Sequence, residues 1–88
     1  MNGRRVLIPS ALQSYTGGAW VEASGDTLDA VLQALDGRFP GLRFRIVDEQ
    51  DRIRPHLRVF VQGRPMFDTT APLPPAEPIH FVLALSGG

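Results

Sequence analysis

Residues 26–41 read DTLDAVLQALDGRFPG, and this segment decides the fold. Asp26 or Thr27 can accept hydrogen bonds from the free amides at a helix start, and Pro40-Gly41 ends the helix. The apolar side chains follow the helical spacing i, i+3, i+4, i+7 and i+11: Leu28, Val31, Leu32, Leu35 and Phe39. The segment therefore predicts one amphipathic helix with a single apolar face.

Short β-rich runs lie on both sides of this helix. They are residues 4–8 (RRVLI), 19–23 (AWVEA), 57–61 (LRVFV) and 79–85 (IHFVLAL), with a weak returning strand at 64–67. Residues 10–18 are expected to form a loop, and 68–78 an irregular segment, because the latter contains four prolines. Residues 42–55 are mixed. Leu42, Phe44 and Ile46 alternate with Arg43 and Arg45, which predicts a short strand or an extended packed segment, and residues 48–54 predict a surface loop.

The predicted element order is β-β-α-β-(β)-β, which places the chain in the α+β class. One main helix can cover one face of a mixed four- to five-stranded sheet, and this is the β-grasp (ubiquitin-like) arrangement. The helix and the covered face share one core, while the other face meets water or a partner. We expect residues 1–85 to form the β-grasp domain and residues 86–88 a flexible tail.

Composition excludes several classes of function. The 88 residues carry nine basic and nine acidic side chains, and every basic residue is an arginine. Without a basic excess the sequence does not predict nucleic-acid binding. No apolar run is long enough for a membrane-spanning helix, and the N-terminal residues do not resemble a signal peptide. We therefore expect a cytoplasmic protein that binds no membrane.

The side chains offer no obvious catalytic or metal-binding set. Cysteine is absent, and His56 and His80 are isolated histidines without ligand spacing. Neither a nucleophile–base set nor a glycine-rich phosphate loop is present. The sequence therefore predicts no catalytic residue, no metal site and no bound cofactor.

The last residues, Ser86, Gly87 and Gly88, follow a predicted strand directly. Glycine has no Cβ, so Gly87 and Gly88 can thread a slot that is too narrow for other residues. A partner enzyme could use ATP to adenylate the Gly88 carboxylate, and the resulting anhydride accepts a sulfur nucleophile. For this chemistry the chain needs only an accessible carboxylate and a docking surface.

Several stretches carry a resemblance to a known family. Residues 80–88 (HFVLALSGG) resemble the C-terminal strand and tail of ubiquitin, and residues 24–28 (SGDTL) resemble its helix start. Residues 39–41 (FPG) and 59–63 (VFVQG) are more similar to the MoaD/ThiS sulfur-carrier family. Residues 8–10 (IPS), 15–18 (YTGG) and 23–28 (ASGDTL) are most similar to its carriers of the cysteine-synthesis type.

The resemblance implies that an E1-like enzyme of the MoeB/ThiF type adenylates Gly88. The product then becomes a thiocarboxylate that delivers sulfide to a sulfur-accepting synthase, for cysteine, molybdopterin, thiamin or a sulfur-containing natural product. Two features depart from the relatives: residues 74–78 (PPAEP) replace a Gly-Asp turn, and residues 83–86 carry fewer charges than the ubiquitin tail. The second departure makes protein tagging less favoured.

Strand alternation predicts which face docks. We expect Ile79, Phe81, Leu83 and Leu85 to face the core, together with Leu57, Val59 and Val61. An apolar patch on the other face would then lead to the tail, and it would contain Phe60, His80, Val82 and Ala84 beside Arg58. With the opposite parity Phe60 would be a core residue. Trp20 is expected to pack internally or to join a partner surface. Most of the arginines are expected to be solvated, and Arg58 or Arg64 could steer toward an acidic partner.

Two other functions remain open at this point. A ubiquitin-like modifier would be conjugated to lysines of other proteins. A plain β-grasp interaction domain would not use Gly87-Gly88 at all. In each of the three readings the chain is not an enzyme.

Overall fold

A computed structural model describes residues 3–84 of the chain. Five strands form one mixed sheet in the order β2-β1-β5-β3-β4. The strands are β1 (Gly3–Leu7), β2 (Trp20–Ser24), β3 (Leu57–Val61), β4 (Arg64–Pro65) and β5 (Ile79–Leu83). The central pair β1 and β5 is parallel, and the other neighbours are antiparallel. The predicted α+β, β-grasp architecture is confirmed.

The main helix, α2 (Leu28–Arg38), forms where the apolar spacing predicts it. Thr27 is the residue that caps it, because its Oγ1 accepts a hydrogen bond from the Ala30 amide at 3.1 Å. The first four residues of the apolar stripe are fully buried: Leu28, Val31, Leu32 and Leu35. Phe39 follows as the C-cap and packs against the core while partly exposed. The stripe therefore covers the inner face of the sheet.

Residues 42–46 correct the expectation of a strand or an extended segment, because they form the short helix α3 (Leu42–Ile46). Leu42 and Ile46 are completely buried, and their spacing of four places both on one helical face. Phe44, which the alternating pattern grouped with them, is 55% exposed. The intervening Arg43 reaches back to Asp29, with 3.2 Å between its Nη2 and the carboxylate oxygen.

Arg43 also pairs with Asp51, so that α3 is held to α2 on one side and to the following loop on the other. The hydrogen bond to Asp51 is the main cause that raises the pKa of the Arg43 guanidinium, against an opposing effect of burial. Asp36 in α2 contributes further, because its Oδ1 accepts from the Gly41 and Arg43 amides. These polar contacts fix a helix that the alternating sequence pattern conceals.

The predicted loop 10–18 is also more ordered than expected. A 3₁₀ turn, Ser10–Leu12, leads directly into α1 (Gln13–Thr16), which ends at Gly17 with a left-handed φ of 78°. Leu12 and Tyr15 pack against the core, and this packing accounts for the helical turns. The Gln62-Gly63 turn, by contrast, is confirmed, with both residues in the left-handed region that a two-residue hairpin turn requires.

Arg4 is an exception to the expectation that most arginines are solvated. Its side chain is buried, and the residue is only 3% exposed. Its Nη1 donates to the carbonyls of Pro74 (2.9 Å) and Glu77 (3.1 Å), and its Nη2 donates to the Gly25 carbonyl at 2.9 Å. Arg4 thereby holds the irregular proline-rich segment that leads into β5. The predicted domain boundary between residues 85 and 86 lies outside the described residues.

Gly25 offers a direct test of how tightly β2 runs into α2. A Cβ at this position would lie 2.7 Å from the Val31 amide nitrogen and 2.8 Å from its Cγ2. We expect Gly25→Ala to lower the free energy of unfolding by about 2–3 kcal/mol, because the backbone must shift. Gly37→Ala is the matched control, since a Cβ there meets nothing within 4 Å. As a better helix former, the alanine should stabilise by up to about 1 kcal/mol.

Urea unfolding followed by circular dichroism measures both variants. Equal stabilities of Gly25→Ala and Gly37→Ala would contradict this account of the β2–α2 junction.

Candidate partner-docking face

The three residues predicted to carry and thread the reactive carboxylate, Ser86, Gly87 and Gly88, lie outside the described residues. The strand that precedes them is β5, which lies between β1 and β3 in the middle of the sheet. Its pairing continues past the strand end, because the Ala84 amide donates to the His56 carbonyl at 2.7 Å. The described chain is therefore anchored up to four residues before Gly88.

The predicted strand faces are confirmed over the described residues: Leu83 is half-buried against the core, whereas Leu85 lies outside them. On the inner side of β5, Ile79 and Phe81 are essentially inaccessible to solvent, whereas Val82 is 40% exposed on the other side. In β3, Leu57, Val59 and Val61 are buried. Between them Arg58 is exposed and Phe60 is half-buried, so Phe60 is not a core residue.

The register brings the predicted docking residues together. Phe60 pairs with His80, and Arg58 pairs with Val82, on adjacent strands. Residues directly opposite each other in a sheet lie side by side on one face. Ala84 is half-buried, and it follows Val82 on the same side by alternation. The five predicted residues thus form a contiguous surface; their docking role stays a prediction.

The same face extends across β1 and β2, which sequence reasoning missed. Leu7 pairs with His80 on one side and with Trp20 on the other. The Trp20 and His80 rings meet edge to face, with centroids 5.6 Å apart and planes at 80°. Arg5 makes a cation–π contact with Trp20, because its guanidinium carbon lies 4.1 Å from the ring centroid. We call this surface, from Trp20 to Phe60, the open face.

The composition of the open face is similar to that of a protein–protein interface. An apolar and aromatic centre is flanked by the cations of Arg5 and Arg58, a composition enriched at the centre of protein–protein contacts. Trp20, left open as a packing or partner residue, stands on this face and is 41% exposed. The alternation within a single strand does not show which strands are neighbours. The sequence therefore did not reveal that Trp20 belongs to this face, which depends on the register between strands.

Residues 3–84 contain no cluster of three or more His, Cys, Asp or Glu side chains that would hold a metal ion. In that same range no helix has the length and apolar character to cross a bilayer.

A mixed sheet of this order, covered by one main helix on one face, defines the class of ubiquitin-like β-grasp proteins. Solved structures of that class superpose on almost the whole chain. CysO of Amycolatopsis orientalis, solved in complex with BexX, has a TM-score of 0.85 and 25% identity, covering 96% of this chain and 98% of that chain.

CysO of Mycobacterium tuberculosis, described as an antigen, has a TM-score of 0.84 and 24% identity, covering 92% of this chain and 98% of that one. Small archaeal modifier protein 1 of H. volcanii has a TM-score of 0.79 and 17% identity, covering 97% of this chain and 100% of that one. No protein-family model and no curated protein sequence matches the chain. The structural neighbours are consistent with a MoaD/ThiS-type ubiquitin-like sulfur carrier, as the sequence resemblance indicated.

The assignment of the two sheet faces can be tested with one substitution at two valines. Val59→Thr places a hydroxyl in the core, and we expect it to lower the free energy of unfolding by about 1–3 kcal/mol. Val82→Thr keeps the branched shape on the open face and should change stability by less than about 0.5 kcal/mol. Urea denaturation of both variants measures the difference. A larger loss for Val82→Thr than for Val59→Thr would reverse the faces.

Proposed function

We propose that this chain is a sulfur carrier protein whose Gly88 carboxylate is activated by a partner enzyme. The observation that carries the proposal is the position of β5. The central strand of the sheet leads toward residues 86–88, and its outward side chains, His80 and Val82, belong to the open face. The likeness to CysO along nearly the whole chain supports the same function.

The proposed chemistry takes place in two steps. A carboxylate oxygen of Gly88 attacks the α-phosphorus of ATP, which releases pyrophosphate and leaves an acyl adenylate. Hydrosulfide then attacks the acyl carbon, AMP departs, and loss of a proton leaves the thiocarboxylate. Transfer of that sulfur to an electrophilic acceptor, with hydrolysis, returns the carboxylate. The chain is thus a co-substrate and not an enzyme, and ATP is bound by the partner.

Two kinds of partner follow from this chemistry. An E1-like enzyme of the MoeB/ThiF type would adenylate Gly88, and a sulfur-accepting synthase would consume the thiocarboxylate. The A. orientalis neighbour, a complex of BexX with CysO, supports the expectation that a carrier of this fold binds partner proteins. Since the cycle uses ATP, we place it in the cytoplasm.

A second function is favoured by other neighbours. Two structures from Haloferax volcanii and one from Methanosarcina acetivorans are small archaeal modifier proteins, with TM-scores of 0.77–0.79. A modifier would use the same adenylate but transfer its acyl group to lysine amines. The chain itself contains no lysine, so it would not form chains on its own side chains.

Deleting Gly87-Gly88 tests the proposal. With the MoeB/ThiF-type enzyme encoded nearest to this gene, we expect the full chain to support exchange of pyrophosphate into ATP. The truncated chain should not support it, because the Gly88 carboxylate is lost. Gly37→Ala, a change at an unobstructed site on α2, serves as the control and should retain exchange.

Undiminished exchange by the truncated chain would refute the carrier function. Adducts of the full chain on lysines of other proteins, in place of sulfur transfer, would establish the modifier function instead.

The open face generates a separate prediction about docking. Val82→Glu introduces a charge into its apolar centre, and we expect the dissociation constant for the activating enzyme to rise about tenfold or more. Phe44→Glu is the matched control, since Phe44 is 55% exposed on α3, whose buried residues belong to the core on the inner side of the sheet. Calorimetric titration of both variants measures the effect. Equal affinities of the Val82→Glu variant and the control would show that the enzyme binds another surface.

A further inference from the structure

The two edges of β5 differ in their backbone hydrogen bonding. The Ala84 amide bonds to the His56 carbonyl, so His56 and Ala84 form a hydrogen-bonded antiparallel pair. Because such pairs alternate along the ladder, His80 and Val82 also direct their backbone groups toward β3. The backbone groups of Phe81 and Leu83 therefore point to the opposite edge, on the side of β1.

On that side β1 stops too early to pair with the second half of β5. Its register matches Val6 with Ile79 and Leu7 with His80, and no pair follows. The next donor in a parallel ladder would be residue 9, but Pro9 has no amide hydrogen. The Pro9 carbonyl accepts instead from the Leu12 amide at 2.8 Å, within the 3₁₀ turn. Thus β1 leaves the Phe81 carbonyl and the Leu83 amide without ladder partners.

A groove of about 400 Å³ lies where the missing pairs would be. Pro9, Ser10 and Gln13 line one wall, and residues 81–83 line the other. The side-chain Nε2 of Gln13 donates to the Ile8 carbonyl at 3.0 Å, and none of the described residues that line the groove is charged. Leu7 and Val82, which also line it, belong to the open face, so the groove continues the surface already proposed to dock.

We propose that an extended, uncharged segment of the activating enzyme adds to the sheet in this groove, beside the second half of β5. It would donate an N–H to the Phe81 carbonyl and accept from the Leu83 amide. An acceptor and a donor two residues apart on one strand edge match the backbone of another strand. This inference rests on the proposed carrier function, and it explains how the strand before the tail is held while the carboxylate reacts.

An amide-to-ester exchange at residue 83 tests the pairing, since it removes the N–H and keeps the leucine side chain. We expect affinity for the activating enzyme to fall about tenfold. The melting temperature of the free chain should stay the same, because the Leu83 N–H has no ladder partner in β1. The matched control is the same exchange at Ile79, a core residue whose N–H faces the same edge but lies in the part of β5 that β1 pairs. That ester should lower the melting temperature more and leave the affinity of the folded protein unchanged.

Ser10→Trp and Ser14→Trp form a second pair. Ser10 lines the proposed groove, whereas Ser14 lines the cleft on the other side of Leu83. Only the Ser10 variant should weaken enzyme binding. Unchanged affinity for both the residue 83 ester and Ser10→Trp would overturn the inference, as would a wild-type dimer that pairs through this edge. If the wild-type chain is not activated at all, the carrier function itself fails.

Discussion

The central position of β5 is the constraint on which the rest of the structure depends. This strand pairs with β1 in parallel and with β3 in antiparallel, so its inner side chains must be covered. Ile79 and Phe81 supply that inner surface, and the apolar stripe of α2 covers it. The helices α2 and α3 together bury one face, and the other face of the sheet is left open.

Residues outside β5 also determine where this strand lies and which of its edges is free. Arg4 donates to three carbonyls, and two of them, those of Pro74 and Glu77, lie in the segment that leads into β5. A buried guanidinium is costly unless its donors are satisfied, and three carbonyl contacts offset much of that cost. At the other end, Pro9 ends the β1 ladder and frees one edge of β5. The position and the exposed edge of the strand are thus set by two residues of the neighbouring β1 segment.

The sequence was sufficient for features that depend on local periodicity. The stripe of α2 and the alternation in β3 and β5 gave the fold class and the correct face for Phe60 and Val82. Contacts remote in sequence were not accessible: α3 was missed because the arginines between Leu42, Phe44 and Ile46 imitate strand alternation. The joining of Trp20 to His80 depends on register across three strands, which no single segment encodes.

The central claim is that the chain carries sulfur on its terminal carboxylate. Intact-mass measurement after incubation with ATP, hydrosulfide and the activating enzyme tests it most directly. The account predicts the mass increase of one oxygen replaced by sulfur, located in the fragment that contains Gly88. An unchanged mass, under conditions in which the same enzyme converts another carrier to its thiocarboxylate, would contradict the account.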